Sequence, residues 1–300
     1  LPSGTRACPC GGPVAAALVP AVLSGKFAVE ARIGAGGVGI VYRARDLGLG
    51  RLVAIKTLPI VTRPEETWRL RREARAMALV SHAHLAMIYG LESWRGQPLL
   101  VVEYLAGGTL ADRLRRGPLP LDDVIALGGT LATALGALHG ERLLHRDLKP
   151  SNVGYTAGRV VKVLDFGLAS LVAPEADSQS TTRSADPLAQ HTGRGAGTPA
   201  YMAPEALRGD APSAAFDLWS LAVLLVEGLI GRNPFHGESL IETVARVERH
   251  RSSDVVGWLS GQAPRVVEFF AAALDPAAAT RPQCATEFAA ALSRCGRLAS

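Results

Sequence analysis

The sequence predicts an α+β fold in two lobes, a small antiparallel β-sheet with one main helix followed by a larger, mainly helical part. Three observations predict it. Two β-rich runs flank a glycine-rich turn, a glycine-free helical stretch follows from Pro64 to Val80, and beyond Leu105 long apolar helical segments replace the strands. The 300 residues suffice to bury a core of this size.

Residues 1–23 read as a flexible N-terminal extension, and its "CPCGG", with Cys8 and Cys10, lacks the second Cys pair that a zinc site needs. "RIGAGGVGIVYRARD" then spells G-x-G-x-x-G at Gly34, Gly36 and Gly39. In a dinucleotide-binding fold this pattern opens a helix whose N-terminus receives a pyrophosphate. Here "IVYRARD", the turn-like "LGLGR" and "LVAIKTLP" follow instead, a hairpin signal that argues against that fold and leaves a dehydrogenase only as the reading of the glycine motif alone. The helix from Pro64 to Val80 is rich in Glu, Arg, Ala and Leu and contains Glu73. "QPLLVVEYL" is a further strand ending at "AGG", so the lobes divide as 24–104 and 105–295. Leu121–His139 and Leu218–Ile230 read as long buried helices, and the second, carrying Glu227, is too short for a membrane span. Between Leu171 and Ala196 the composition turns to Pro, Ser, Thr, Gln, Asp and Gly, a loop of the length that is functional or disordered in compact domains.

Composition narrows the class. The chain is 48% hydrophobic and 20% charged, within the globular range. Its charge of +5 comes from dispersed residues with only 5% aromatics, which argues against nucleic acid as a partner. No membrane contact is expected of this segment, although an anchor outside it stays compatible with the sequence. Four cysteines are too few for a disulfide framework and suggest a reducing, cytoplasmic setting. Of 32 basic residues 28 are Arg, so the four positions that keep Lys (Lys26, Lys56, Lys149 and Lys162) draw attention to ammonium chemistry.

"HRDLKPSN" at His145–Asn152, "LDFG" with Asp165, and "GTPAYMAPE" at Gly197–Glu205 complete a set begun by the glycine loop and "VAIK". With every element in chain order, residues 27–292 resemble the eukaryotic-like protein kinases in their bacterial serine/threonine branch. The resemblance implies the two-lobed protein kinase fold, an activation segment at 165–205, and transfer of the γ-phosphate of Mg·ATP to serine or threonine hydroxyls of protein substrates. Manganese is the alternative cation. The rival reading is a catalytically weak pseudokinase scaffold, which a missing Lys, Asp or Asn in the motifs would favour, and none is missing.

The resemblance also implies roles. Asp147 orients the acceptor hydroxyl, Lys149 stabilises the transferring phosphoryl group, and Asn152 with Asp165 holds the metal. Lys56, held by Glu73, reaches the α- and β-phosphates. The nucleotide is expected between Ile33, Gly34, Ala35, Gly36, Gly37, Val38, Gly39, Ile40, Val41 and Ala54 above and the helical lobe below, with backbone bonds at Glu103 and Leu105 and Val102 as gatekeeper. Thr198 is expected near Asp147 and Lys149, Glu205 paired with Arg281, and Asp217 bracing the catalytic loop. Autophosphorylation is expected at Thr192, with Thr181, Thr182 and Ser184 as further candidates, and a homodimer would serve that reaction in trans. Two departures stand out. Ala222 replaces a usual Gly, and Gly154 stands where most kinases place Leu or Met beneath the adenine, which predicts an enlarged floor there.

Overall fold

A computed structural model of the chain describes residues 19–36, 39–60, 64–166 and 199–296. Six strands form one antiparallel sheet: β1 (Val22–Leu23), β2 (Phe27–Gly36), β3 (Gly39–Asp46), β4 (Leu52–Thr57), β5 (Ile88–Trp94) and β6 (Gln97–Glu103), in the order β1-β2-β3-β4-β6-β5. The hairpin at the glycine loop is therefore real. Its register pairs Gly34 with Val41, Ala35 with Ile40 and Gly36 with Gly39. Gly39 has a sheet reason of its own: its φ is +150°, and a Cβ there would stand 2.0 Å from the Thr57 carbonyl oxygen. Thr57 Oγ1 also accepts the next amide, Ile40 N–H, at 2.8 Å.

Alternation along the strands sorts the side chains. Val41 lies opposite Lys56, which lies opposite Leu100, and Ala54 lies opposite Val102. Opposed residues share a face, so Val41, Ala54, Lys56, Leu100 and Val102 line one side of the sheet. Val53, Ile55, Leu99 and Val101 bury the other side with Leu23, Phe27 and Ala44. The helix α1 (Pro64–Leu79) presents Leu70, Ala74 and Met77 inward at helical spacing, and Glu73 lies within that stripe.

Beyond Glu103 the chain is mainly helical: α2 (Leu110–Leu114), α3 (Leu121–Gly140), α4 (Pro204–Leu207), α5 (Ala214–Ile230), α6 (Leu240–Glu248), α7 (Asp254–Trp258), α8 (Pro264–Ala273) and α9 (Ala285–Gly296). A two-stranded ribbon, β7 (Val153–Tyr155) with β8 (Val161–Val163), lies between α3 and α4 in the chain. Helix α5 is apolar nearly all round and buried from Asp217 through Val226, as expected for a central helix. Ala222, in the usual glycine position, is fully enclosed there. By length and composition α3 is apolar enough to cross a bilayer, and here it buries Val124, Leu127, Leu131, Leu135 and Leu138 within the same core as α5.

Candidate active site

The segment between α3 and β7 supplies three polar side chains that converge. Lys149 Nζ donates to Asp147 Oδ1 at 2.9 Å, and Asn152 Nδ2 donates to Asp147 Oδ2 at 3.1 Å and to the Asp147 carbonyl at 2.7 Å. Committing both amide hydrogens to Asp147 orients the Asn152 side chain and leaves its carbonyl oxygen outside these bonds. Pro150 starts a single 3-10 turn over Pro150–Asn152 that brings Asn152 back towards Asp147.

Asp217 holds this segment from below. Its Oδ2 accepts His145 N–H and its Oδ1 accepts Arg146 N–H, each at 2.8 Å, and His139 Nε2 lies 2.9 Å from Oδ2. The bracing expected of Asp217 is thus present, on a carboxylate only 1% exposed. Arg146 needs such support because its φ is +64°, a left-handed conformation costly for a non-glycine residue. His145 is assigned its tautomer by two contacts: Nδ1 accepts Asp147 N–H at 3.2 Å, leaving Nε2–H to donate to the Leu164 carbonyl at 3.0 Å.

That last bond ties the segment to the next. Leu164 N–H donates in turn to the Asn152 carbonyl at 2.8 Å. Asp165 follows, also left-handed at φ +59°, and its Oδ2 receives Lys56 Nζ at 2.6 Å. A residue of β4 and one just beyond β8, 109 positions apart, thereby meet across the two halves of the molecule. The Lys56 amine is nearly enclosed while Asp165 keeps about a quarter of its side chain exposed, so the pair faces an opening. Carboxylate and amide oxygens of this kind are hard donors suited to a divalent cation.

A third lysine was legible in the sequence only as a scarce residue. Lys162, on β8, pairs with Glu103 at 3.0 Å and bonds the Leu85 carbonyl at 3.3 Å, while Glu103 N–H donates to the Met87 carbonyl at 2.8 Å. These bonds hold the end of β6 beside the ribbon. Among the described residues, no acceptor is bonded to the Leu105 N–H two positions on.

The floor below this strand end corrects the sequence reading. Gly154 is buried in the middle of β7, and a Cβ built on it would lie 2.5 Å from Leu105 Cδ1 and 3.2 Å from Leu164 Cδ1. The space beside the glycine is occupied by two leucine methyls, not open. The expected enlargement does not occur, because neighbours distant in sequence fill it.

On the far side, Glu205 and Arg281 form the expected pair, bidentate at 2.6 and 3.0 Å and buried. Tyr201 O–H donates to Glu227 Oε2 at 2.5 Å, and burial pushes both the hydroxyl and the carboxyl above their usual ranges. Gly37 and Val38 of the glycine loop, Thr198, and the hydroxyls Thr181, Thr182, Ser184 and Thr192 lie outside the described residues.

Residues 27–289 match the family model described as "Protein kinase domain". The chain is similar to the serine/threonine-protein kinase pkn2 of Myxococcus xanthus, with 34% identity over 91% of this chain and 32% of that protein. It is also similar to the serine/threonine-protein kinase PknB of Mycobacterium leprae, with 36% identity over 73% of this chain and 35% of that protein. The chain therefore spans about a third of the length of these relatives. Its fold is like that of the crystal structure of the Mycobacterium tuberculosis PknI kinase domain, with a TM-score of 0.70, 23% identity, and coverage of 93% of this chain and 99% of that one.

Proposed function

Because the chain belongs to the protein kinase domain family, as a catalytic domain of the bacterial serine/threonine type, we propose that it moves the γ-phosphate of ATP to serine or threonine hydroxyls of proteins. The single observation that carries this reading is the continuous bonded path from Asp147 through Asn152 and Leu164 to Asp165 and Lys56. Catalysis of this kind consists of positioning groups and neutralising charge, and the path holds one group for each task in fixed relation to the others.

ATP supplies the transferable phosphoryl group, and a divalent cation, magnesium by preference with manganese as the alternative, neutralises its phosphates. The residues present fit both. Asp165 and the oriented oxygen of Asn152 would hold the cation, and Lys56, paired with Asp165 at 2.6 Å, would supply the ammonium for the phosphates. The unbonded Leu105 N–H is the donor for the base, and Ile33, Val41 and Ala54 cover it from the sheet. Asp147 receives the hydroxyl proton of the acceptor, and Lys149, bonded to that same carboxylate, adds positive charge beside the reacting oxygen. Glu73, on the inward stripe of α1, is the carboxylate that the family resemblance assigns to steady Lys56.

The test is transfer of labelled γ-phosphate from ATP to a protein acceptor, followed by phosphoamino-acid analysis. Phosphoserine and phosphothreonine are expected, and Asp147→Asn should lower the rate by a factor of about 10³ or more while the protein stays folded. Undiminished transfer by purified Asp147→Asn protein would remove the mechanism, and label on tyrosine alone would redirect the specificity. Asp165→Ala should chiefly weaken metal-dependent nucleotide binding. Mass spectrometry after incubation with ATP tests autophosphorylation at Thr192, Thr181, Thr182 or Ser184. A phosphate there has a partner in Arg146, whose charge orders such segments. Concentration dependence of that reaction tests the homodimer.

A further inference from the structure

We propose that Leu105 and Leu164 together form the apolar floor against which the purine ring of ATP stacks, and that the glycine at position 154 is what makes room for them. The inference rests on the reading that this cleft takes ATP.

Gly154 cannot move aside to accommodate a larger residue. It pairs with Lys162 across the ribbon and bridges to Thr109 on its other side, Tyr155 N–H donates to the Gly108 carbonyl, and Gly107 N–H donates to the Tyr155 carbonyl, at 2.9 and 2.8 Å. β7 is thus clamped by backbone bonds on both edges. Into the notch above the glycine come Leu105 Cδ1, 2.5 Å from where a Cβ would be, and Leu164 Cδ1 at 3.2 Å. Carbon atoms in van der Waals contact keep about 3.5–4 Å apart, so even a methyl at 154 displaces Leu105.

The two leucines arrive from the two segments that bracket the site. Leu105, whose N–H has no bonded acceptor among the described residues, stands just beyond β6, where Val102 faces Ala54. Leu164 immediately precedes Asp165 and bonds the Asn152 carbonyl. Both side chains are only partly buried, so each keeps accessible apolar surface beyond the notch, and Leu164 lines a cavity together with Val102 and Asp165. An apolar surface between a free amide donor and the cation ligands is the surface that a flat, uncharged base requires. The floor is carried by the connection between the lobes and by the segment before Asp165, not by β7, and the sizes of residues 105 and 154 are reciprocally constrained.

Calorimetric titration with ATP and magnesium, alongside thermal midpoints without nucleotide, decides this for wild type, Leu105→Ala, Gly154→Leu and the double variant. Leu105→Ala removes the floor and Gly154→Leu drives Leu105 out of its notch. Each single change should weaken ATP binding by about tenfold, the equivalent of one well-buried apolar contact. In the double variant the new leucine occupies the vacated space, and affinity should return to within about threefold of wild type. If Gly154→Leu does not fold, Gly154→Ala with and without Leu105→Ala asks the same question with a single methyl. Binding by Gly154→Leu as tight as or tighter than wild type, or a double variant whose loss is the product of the single losses, overturns the proposal while leaving the kinase reading intact. A folded wild type that takes up no ATP overturns the kinase reading, and the floor falls with it.

Discussion

Three of the four lysines hold carboxylates in or beside the candidate site: Lys56 with Asp165, Lys149 with Asp147, and Lys162 with Glu103 at the end of β6. The fourth, Lys26, makes an exposed pair with Glu92. An arginine at position 56 would keep the charge but needs room for a planar fork that a nearly enclosed site lacks. Lys56→Arg should therefore lose phosphoryl transfer almost as fully as Lys56→Met, with both proteins retaining the far-ultraviolet circular dichroism of wild type. Retention of more than about a tenth of the activity by the arginine variant would show that charge alone suffices, since that is about 1.4 kcal/mol of barrier. Gly39 is constrained by its own strand. Gly39→Ala should destabilise the protein by about 1–3 kcal/mol and weaken nucleotide binding, because the methyl meets the Thr57 carbonyl in a conformation that L-residues avoid. Urea titration that finds the alanine variant equal to wild type would contradict this.

At the junction of α6 and α7 an aromatic cluster encloses a titratable ring. His250 stacks on Trp258 with centroids 5.0 Å apart and meets Phe235 and Trp219 edge-on at 5.2 and 5.9 Å. Its Nε2–H donates to the Leu274 carbonyl at 2.9 Å and Nδ1 lies 3.3 Å from Asp254. Burial dominates and holds its pKa below the ordinary histidine value, against the opposing pull of the Leu274 carbonyl, Asp254 and Asp275. The unfolded chain binds a proton below a pH of about 6.5 and the native ring resists it, so this histidine makes stability fall as pH drops through that range. Urea midpoints at two pH values on either side check it. His250→Gln should be less stable at the higher pH yet lose less on acidification, and parallel slopes for the two proteins would count against the assignment.

Across the whole molecule, Arg281 joins the start of α4 to the approach to α9. Its guanidinium makes a bidentate pair with Glu205, bonds the Asp275 and Pro276 carbonyls, and lies 4.6 Å over the Trp219 ring. Removing one partner leaves a buried charge without compensation, so Arg281→Met should cost about 3–5 kcal/mol of unfolding free energy. Glu205→Gln combined with Arg281→Met should cost less than Arg281→Met alone, because the stranded carboxylate is gone. Chemical denaturation of the single and double variants measures both, and additive losses would mean that the pair is not coupled.

The sequence by itself determined the hairpin at the glycine loop, the helix α1, the change from strands to helices beyond Leu105 and the family, and through the family the pairing of Glu205 with Arg281 and the bracing by Asp217. Each of these is written in local pattern: alternation for strands, helical spacing for α1 and α5, and short motifs whose residues act close to where they stand in the chain. Val22–Leu23, read as part of a flexible extension, instead form the strand β1. Only the tertiary structure decided what fills the space beside Gly154 and why Gly39 has no alternative. It also showed that Lys162 steadies Glu103 and that Asp165 and Arg146 sit in left-handed conformations. These facts depend on contacts between residues far apart in sequence, such as Leu105 against Gly154 or Gly39 against Thr57. A single residue's identity states its own size and chemistry but not the shape of the neighbour it meets, and close packing makes that shape decisive.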